Sequence, residues 1–503
     1  MSETTTSMPS ALQTIDLVRK EANRHLDPKR KSALGQFMTP SAVARYMASL
    51  FEANPKDAIH LLDPGAGVGS LTAAFLERFM TAPRVRRIGV TAYEIDEVMH
   101  PYLADVLNEY RRAARSSGVE FRSTLRMDDF VDVACRPLLR GKQPRFTHAI
   151  LNPPYKKINS HSEHRTLLRQ AGIETVNLYT AFLALTIEMM EDGGEIVGII
   201  PRSFCNGPYY KPFRELLFKK TAIRHMHLFE ARDRAFQEDN VLQENIIIYL
   251  VRSAKQGMVT ISTSTDHGLH NYESHKYPFE RIVKLGDSQR FLHIPHQPKR
   301  NNLELSTVVM YSPKEIGIEI STGPVVDFRL KEYLRAEPSD NTVPLLYPAH
   351  FAGQGVEWPR KTKKPNALVL CPETKKWLFP NGFYTLVRRF SSKEERRRIV
   401  ATVVHPAIFA GDQLGFENHL NVFHLGKRGL PAHLAYGLAA FLNSTVVDET
   451  FRSFNGHTQV NATDLRLMKY PSAQVLMSLG KWAQEQQQSP SQEAIDRRIS
   501  SLL

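Results

Sequence analysis

The chain has 503 residues, 42% hydrophobic and 23% charged, with 65 Lys and Arg against 52 Asp and Glu and a formal charge of +13. That length exceeds one ordinary core and implies roughly two to four domains. No apolar run approaches the roughly 18 residues of a membrane helix, which argues against a membrane protein, and the start MSETTTSMPS lacks the layout of a secretory signal. Cys135, Cys205 and Cys371 are too scattered for a disulfide framework or a zinc site, so a cytoplasmic protein without a metal is expected. The cationic excess favours a polyanion such as nucleic acid, although it also simply aids solubility.

Along the sequence, Ala11 to His25 reads as an amphipathic helix, and Gly35-Gln36-Phe37-Met38-Thr39-Pro40 opens a second helix through Met47. From Ile59 short apolar runs alternate with helical stretches. They are HLLD, a helix from Ser70 to Phe79, RRIGVTAYE, a helix around Tyr102 to Ala114, THAILN, a helix from Leu178 to Glu191, and EIVGIIP. This alternation predicts βαβ units and a mostly parallel sheet, with IIIYLV after Glu244-Asn245 as a last central strand. After Gly257 basic clusters appear, HQPKRNN, RKTKKP and ERRR, any one of which also fits a solvated face. The expected organisation is a tail and helix over 1–30, a catalytic domain over 31–256, a second domain over 257–478 and a tail over 479–503.

Asp63-Pro64-Gly65-Ala66-Gly67-Val68-Gly69-Ser70 follows the strand Ile59 to Leu62 and opens a helix. Glycines there, Gly65 and Gly67 among them, let backbone approach a ligand at the carboxyl end of the strand. Such a loop could equally bind a dinucleotide, bind another nucleoside, or only turn the backbone. The next strand ends at Glu94, whose carboxylate can accept hydrogen bonds from both hydroxyls of a ribose. Asp128-Asp129-Phe130 stands where a third strand should end, with a carboxylate for an adenine amino group and a ring for its face; an ordinary acidic turn is the alternative. Asp63 would repel phosphate beside the loop, which suits a cationic or zwitterionic ligand such as S-adenosylmethionine.

Asn152-Pro153-Pro154-Tyr155 directly follows the apolar strand Ala149 to Leu151. Two prolines hold an extended turn and leave the Pro153 carbonyl without a neighbouring amide. An adenine amino nitrogen is a poor nucleophile because its lone pair is delocalised. If Asn152 and the Pro153 carbonyl each accept one of its hydrogens, the lone pair can turn toward a methyl donor without a side-chain base. Tyr155 would stack on a base rotated out of a duplex, with Phe236 as a second stacking contact or a core aromatic. A rigid loop whose Asn caps a turn and whose Tyr packs is the simpler use of the same residues.

In this order the motifs resemble the γ-class N6-adenine DNA methyltransferases of type II restriction–modification systems. The resemblance runs from Gly35 to Pro40 through DPGAGVGS, Glu94, DDF and NPPY to GGEIVGIIPRSFCNGPYYKPFREL, about half the sequence. It implies a seven-stranded Rossmann-like, S-adenosylmethionine-dependent sheet up to about residue 255. It also implies cofactor contacts from Thr39, Asp63, Gly65, Glu94, Asp129 and Phe130. The segments STGPVVDFR and FNGHTQVNATDLRLMKYP look like those of a C-terminal, mixed α+β target-recognition domain. Asn455, Gln459 and Asn461 are its suggested DNA readers, though a structural loop fits them as well. Expected partners are double-stranded DNA and a separate restriction endonuclease, with the protein itself a monomer.

Three rival functions compete. Methylation of a protein glutamine also uses an NPPY-like turn but needs no large basic extension, and RNA adenine is a lesser rival substrate. A non-catalytic DNA specificity protein is disfavoured because Asn152, Tyr155, Glu94 and Asp63 are all in place.

Overall fold

Apolar runs without polar alternation form strands covered on both faces, and the fully buried Ile59, Leu61 and Leu62 make β1 (Ala58–Pro64) such a strand. The structure, a computed structural model, describes residues 38–295 and 306–503 except 54–55, 142–144, 230–243, 267, 392–394, 456–457 and 487–488, together with Asp16, Arg19 and Glu21. Gly35, Gln36, Phe37, Phe236 and the HQPKRNN cluster therefore lie outside the described residues, as does most of the first expected helix. Two units are present, Met1–Pro295 and His296–Leu503.

In the first unit β2 (Arg87–Tyr93), β3 (Glu120–Arg126), β4 (Phe146–Leu151), β5 (Met190–Pro201), β6 (Thr221–Phe229) and β7 (Asn245–Arg252) follow β1. Helices α1 (Ser41–Ser49), α2 (Ser70–Phe79), α3 (His100–Ser117), α4 (Phe130–Leu139), α5 (Glu163–Gln170), α6 (Leu178–Met189) and α7 (Lys211–Lys220) intervene. The sheet order is β3-β2-β1-β4-β5-β7-β6, continued by β8 (Val259–Ser264) and β9 (Glu273–Tyr277). β7 runs antiparallel between β5 and β6, while β1 to β5 are parallel. The expected Rossmann-like sheet of seven strands is thus present with two more at its edge. Strand order reverses at β1 and β4, and a crevice opens beyond their carboxyl ends. DPGAGVGS leaves one of these ends and NPPY the other.

The boundary expected after residue 256 instead falls near 295. β8 pairs in parallel with β6, and the stretch after β9 is tied down by the fully buried Arg214. Its guanidinium donates to the carbonyls of Phe204 and Gly207, both at 2.8 Å, and to Gln289 at 2.8 and 3.1 Å, with Phe291 stacked 5.0 Å away. VTISTS carries only weak alternation, and a buried arginine satisfied by distant carbonyls leaves no local pattern in a sequence.

The second unit is mixed α+β. A four-stranded antiparallel sheet has the order Glu319–Thr322, Leu420–His424, Tyr384–Arg388, Ala401–Val404. A five-stranded sheet contains Thr342–Leu346 and Gln413–Phe416. The helices Ala432–Leu442 and Ala473–Glu485 touch backbone to backbone. A Cβ on Gly437 would lie 1.8 Å from the Leu476 carbonyl oxygen, and one on Gly480 only 1.7 Å from that of His433. The expected break at 478/479 therefore cuts through a packed helix. The final helix Gln492–Ser500 is also anchored, since Asp496 accepts from the Thr445 amide (2.7 Å) and hydroxyl (2.6 Å). Among the described residues no helix is long and apolar enough to cross a membrane.

Candidate active site

The glycine loop is fastened to the end of β2. The amides of Gly65 and Ala66 both donate to the Tyr93 carbonyl at 2.8 Å, and the Gly67 amide donates to Glu94 Oε2 at 2.8 Å. Gly65 and Gly67 adopt φ of 81° and 57°, backbone that an L side chain enters only with strain. Glu94 is 5% exposed, and its Oε1 accepts from the Asp96 amide at 2.8 Å. Burial raises its pKa while these amides oppose the shift. Each oxygen keeps a lone pair for a ligand hydroxyl.

Asp129 caps α4, its Oδ1 accepting from the amides of Val131 (2.9 Å) and Asp132 (3.3 Å). Its Oδ2 lies 3.0 Å from His164 Nε2 on α5. Burial alone would raise the Asp129 pKa, but His164 and the helix-start amides together hold it below the usual carboxylate value. The same hydrogen bond, opposed by burial, raises that of His164. Phe130 is buried between Tyr93 (centroids 5.1 Å apart) and Phe182 of α6 (4.9 Å).

On the neighbouring strand end, Asn152 Nδ2 donates to Thr39 Oγ1 at 3.0 Å, and the Tyr155 hydroxyl donates to Asn152 Oδ1 at 3.0 Å and to the Ile199 carbonyl at 3.3 Å. The carboxamide is thus held from both ends. Burial pushes the Tyr155 hydroxyl well above its ordinary pKa, so it remains a donor and is no base. Behind it stands Tyr179, edge-on at 6.4 Å and hydrogen-bonded to Ser203 Oγ at 2.7 Å. Among the described residues no hydrogen bond reaches the Pro153 carbonyl.

These elements meet around one cavity of about 380 Å³. Of the residues expected from sequence, Thr39, Gly65, Gly67, Glu94, Asp129, Phe130, Asn152 and Pro154 line it, whereas Asp63, Pro153 and Tyr155 do not. Asp63 needs correction as a direct contact carrying a full charge. It is completely buried behind the loop, takes a 2.6 Å hydrogen bond from Thr72 Oγ1, and is pushed up to about 7 chiefly by burial. Among the described residues its Oδ1 has no hydrogen-bond partner. His164 and Phe182 were not foreseen, because a lone His at a helix start and a Phe in an all-apolar helix carry no motif.

Asn455 also needs correction. It is 2% exposed, accepting from Arg398 Nη2 at 2.8 Å and donating to the Gln459 carbonyl (3.0 Å) and Asp464 (3.1 Å). It is a core joint and not a surface reader. Asn461 caps the helix Ala462–Leu467 in a reciprocal box with Asp464, and the half-buried Gln459 forms a bridge with Phe390.

A glycine loop, a strand-end glutamate, a capped Asp-Phe pair and NPPY around one cavity on this sheet define a class: an S-adenosylmethionine-dependent methyltransferase. A family model described as Eco57I restriction-modification methylase matches residues 100–236. The type II methyltransferase M.BsuBI of Bacillus subtilis is 51% identical over 503 residues, covering 99% of both proteins. M.PstI of Providencia stuartii, also a type II methyltransferase, is 43% identical over 481 residues, covering 95% of this protein and 94% of its own length. The chain belongs to the type II DNA methyltransferases of restriction–modification systems. Among solved structures, a DrdV–DNA complex matches with a TM-score of 0.50 and 12% identity, over 94% of this protein and 59% of that one, a likeness of fold alone.

The cavity fits the cofactor. Glu94 retains acceptor capacity for hydroxyls, Phe130 offers a buried ring and Asp129 a carboxylate.

Proposed function

We propose that this methyltransferase modifies N6 of an adenine in double-stranded DNA and thereby protects that DNA from a partner restriction endonuclease. The bound cofactor supplies a methyl group made electrophilic by its sulfonium. Glu94 would hold its ribose, Asp129 and Phe130 its adenine moiety, and the loop at Gly65 and Gly67 the remainder. Asn152 Oδ1 and the Pro153 carbonyl accept the two hydrogens of the target amino group. That draws the nitrogen toward tetrahedral geometry and aims its lone pair at the methyl. Methyl transfer from the bound cofactor would place positive charge on that nitrogen and make its proton acidic, so the proton would leave late to solvent without a side-chain base.

Reaching this site requires the base to leave the stack at a cost of a few kcal/mol. Tyr155 offsets this by stacking, worth about 1–3 kcal/mol, its ring plane held by the two hydrogen bonds of its hydroxyl.

The observation that carries the proposal is the Asn152 carboxamide, clamped by Thr39 and Tyr155 at the wall of the cofactor cavity. Methylated duplex DNA, digested to nucleosides and weighed by mass spectrometry, should contain N6-methyladenine. Asn152→Ala should lower kcat at least about 100-fold, the scale of losing a transition-state acceptor, with cofactor affinity within about twofold of native by calorimetry. N4-methylcytosine as the product, or a fully active Asn152→Ala protein, would refute it.

A further inference from the structure

In the second unit two phenylalanines are exposed, Phe328 (62%) and Phe390 (39%), and each lies beside an arginine in sequence whose guanidinium approaches its ring. Arg329 lies 5.6 Å from the Phe328 centroid and Arg389 lies 5.8 Å from that of Phe390, within cation–π range.

Four separate segments bring these pairs to one edge. Val325 donates to the Phe416 carbonyl (3.1 Å) and accepts from the Asn418 amide (2.9 Å). The Arg389 amide donates to the His419 carbonyl (2.8 Å), and the Val460 amide donates to the Arg389 carbonyl (2.7 Å). His419 lies against Phe390, the rings tilted at 45° with centroids 4.9 Å apart. The junction is rigid: a Cβ on Gly323 would sit 2.2 Å from the Glu417 carbonyl oxygen.

Its acids are engaged from within. Glu417 is fully buried and accepts from the His419 amide (2.9 Å) and lies 2.5 Å from His419 Nδ1. Asp327 accepts from Lys364 Nζ at 2.9 Å. What faces outward is therefore two aromatic rings, the Arg329 guanidinium, the Nη2 end of Arg389, whose Nη1 donates to the Asn418 carbonyl at 3.1 Å and whose Nε is buried, and an imidazole whose Nδ1 is committed, leaving Nε2 for an outside partner.

We infer that Phe328, Arg329, Arg389, Phe390 and His419 form the surface that reads the target sequence on duplex DNA, an inference that rests on DNA as the substrate. The chemistry fits that occupant. Guanidinium groups pair with phosphates or with the O6 and N7 of guanine, phenyl rings meet thymine methyls or wedge against a base step, and an oriented imidazole bonds a base edge. The cationic balance of the whole sequence, +13, favours a polyanion as that occupant.

The test uses the full-length enzyme. Sequencing of DNA methylated by the native protein defines the site, and duplexes with one base pair changed serve as non-cognate controls. Phe328→Ala, Phe390→Ala and His419→Gln should each lower the cognate to non-cognate ratio of kcat/KM by about tenfold, the scale of one lost base contact. Arg329→Ala and Arg389→Ala should weaken binding to every duplex and reduce the salt slope of log Kd by about one each. All five should bind cofactor like the native enzyme. Phe328→Ala, at an exposed site, guards against misfolding at the others. Native discrimination and salt slope in all five variants would overturn the surface while leaving the function intact. A native enzyme that leaves no N6-methyladenine would instead overturn the function.

Discussion

The cofactor cavity and the edge at Phe390 are assembled in opposite ways. In the first unit DPGAGVGS and NPPY leave the carboxyl ends of adjacent parallel strands, so topology alone brings residues some ninety positions apart to one crevice. In the second unit four segments meet through single bridges and turns, Val325 to Glu417 and Phe390 to Gln459. Parallel sheets convert local motifs into predictable neighbours; an irregular junction does so only after the whole unit has folded.

The largest expected effect breaks the second arrangement alone. Gly480→Ala or Gly437→Ala forces a methyl into a carbonyl less than 2 Å away, and relieving it should cost about 3 kcal/mol or more. Limited proteolysis should then cleave beyond His296 at lower denaturant, while calorimetry still finds cofactor binding. Loss of both properties together would show that the two scaffolds do not fail separately.

A smaller effect sharpens the account of the first unit. His164→Ala removes the partner of Asp129 Oδ2; at this half-exposed site we expect about a tenfold loss of cofactor affinity, below a fully buried charged hydrogen bond. Unchanged affinity by calorimetry would mean that the helix-start amides alone orient the carboxylate.

The smallest effect concerns Asp63. Burial raises its folded pKa to about 7, above the ordinary carboxylate value, so the folded state prefers the protonated form. Its contribution to stability is full below the unfolded pKa and is lost as pH rises through about 7. Without cofactor, native protein should gain more melting temperature between pH 8 and pH 5 than Asp63→Asn does, and equal slopes would contradict the assignment.

Most of the cavity was legible because each part sits at a strand or helix end, where residue type is tied to backbone geometry. Glycines mark the turn, Glu94 ends a strand, Asp129 begins a helix and Pro153 stiffens an exit. What was hidden acts across sequence distance. Asp63 belongs to the motif yet faces Thr72 rather than the cavity, Arg214 extends the first unit to residue 295 through carbonyls far along the sequence, and Asn455 looked like a polar loop residue until Arg398 and Asp464 enclosed it.

The Thr39 to Asn152 hydrogen bond spans 113 positions. A carboxamide is nearly symmetric in shape but opposite in polarity at its two ends, so an unlatched Asn152 could swing its NH2 toward the amino group it must hold and meet donor with donor. Thr39 takes the NH2 end and Tyr155 the oxygen end, so the two hydroxyls together hold the carboxamide in one orientation. A residue ahead of α1 thus shares in holding the turn at the fourth strand.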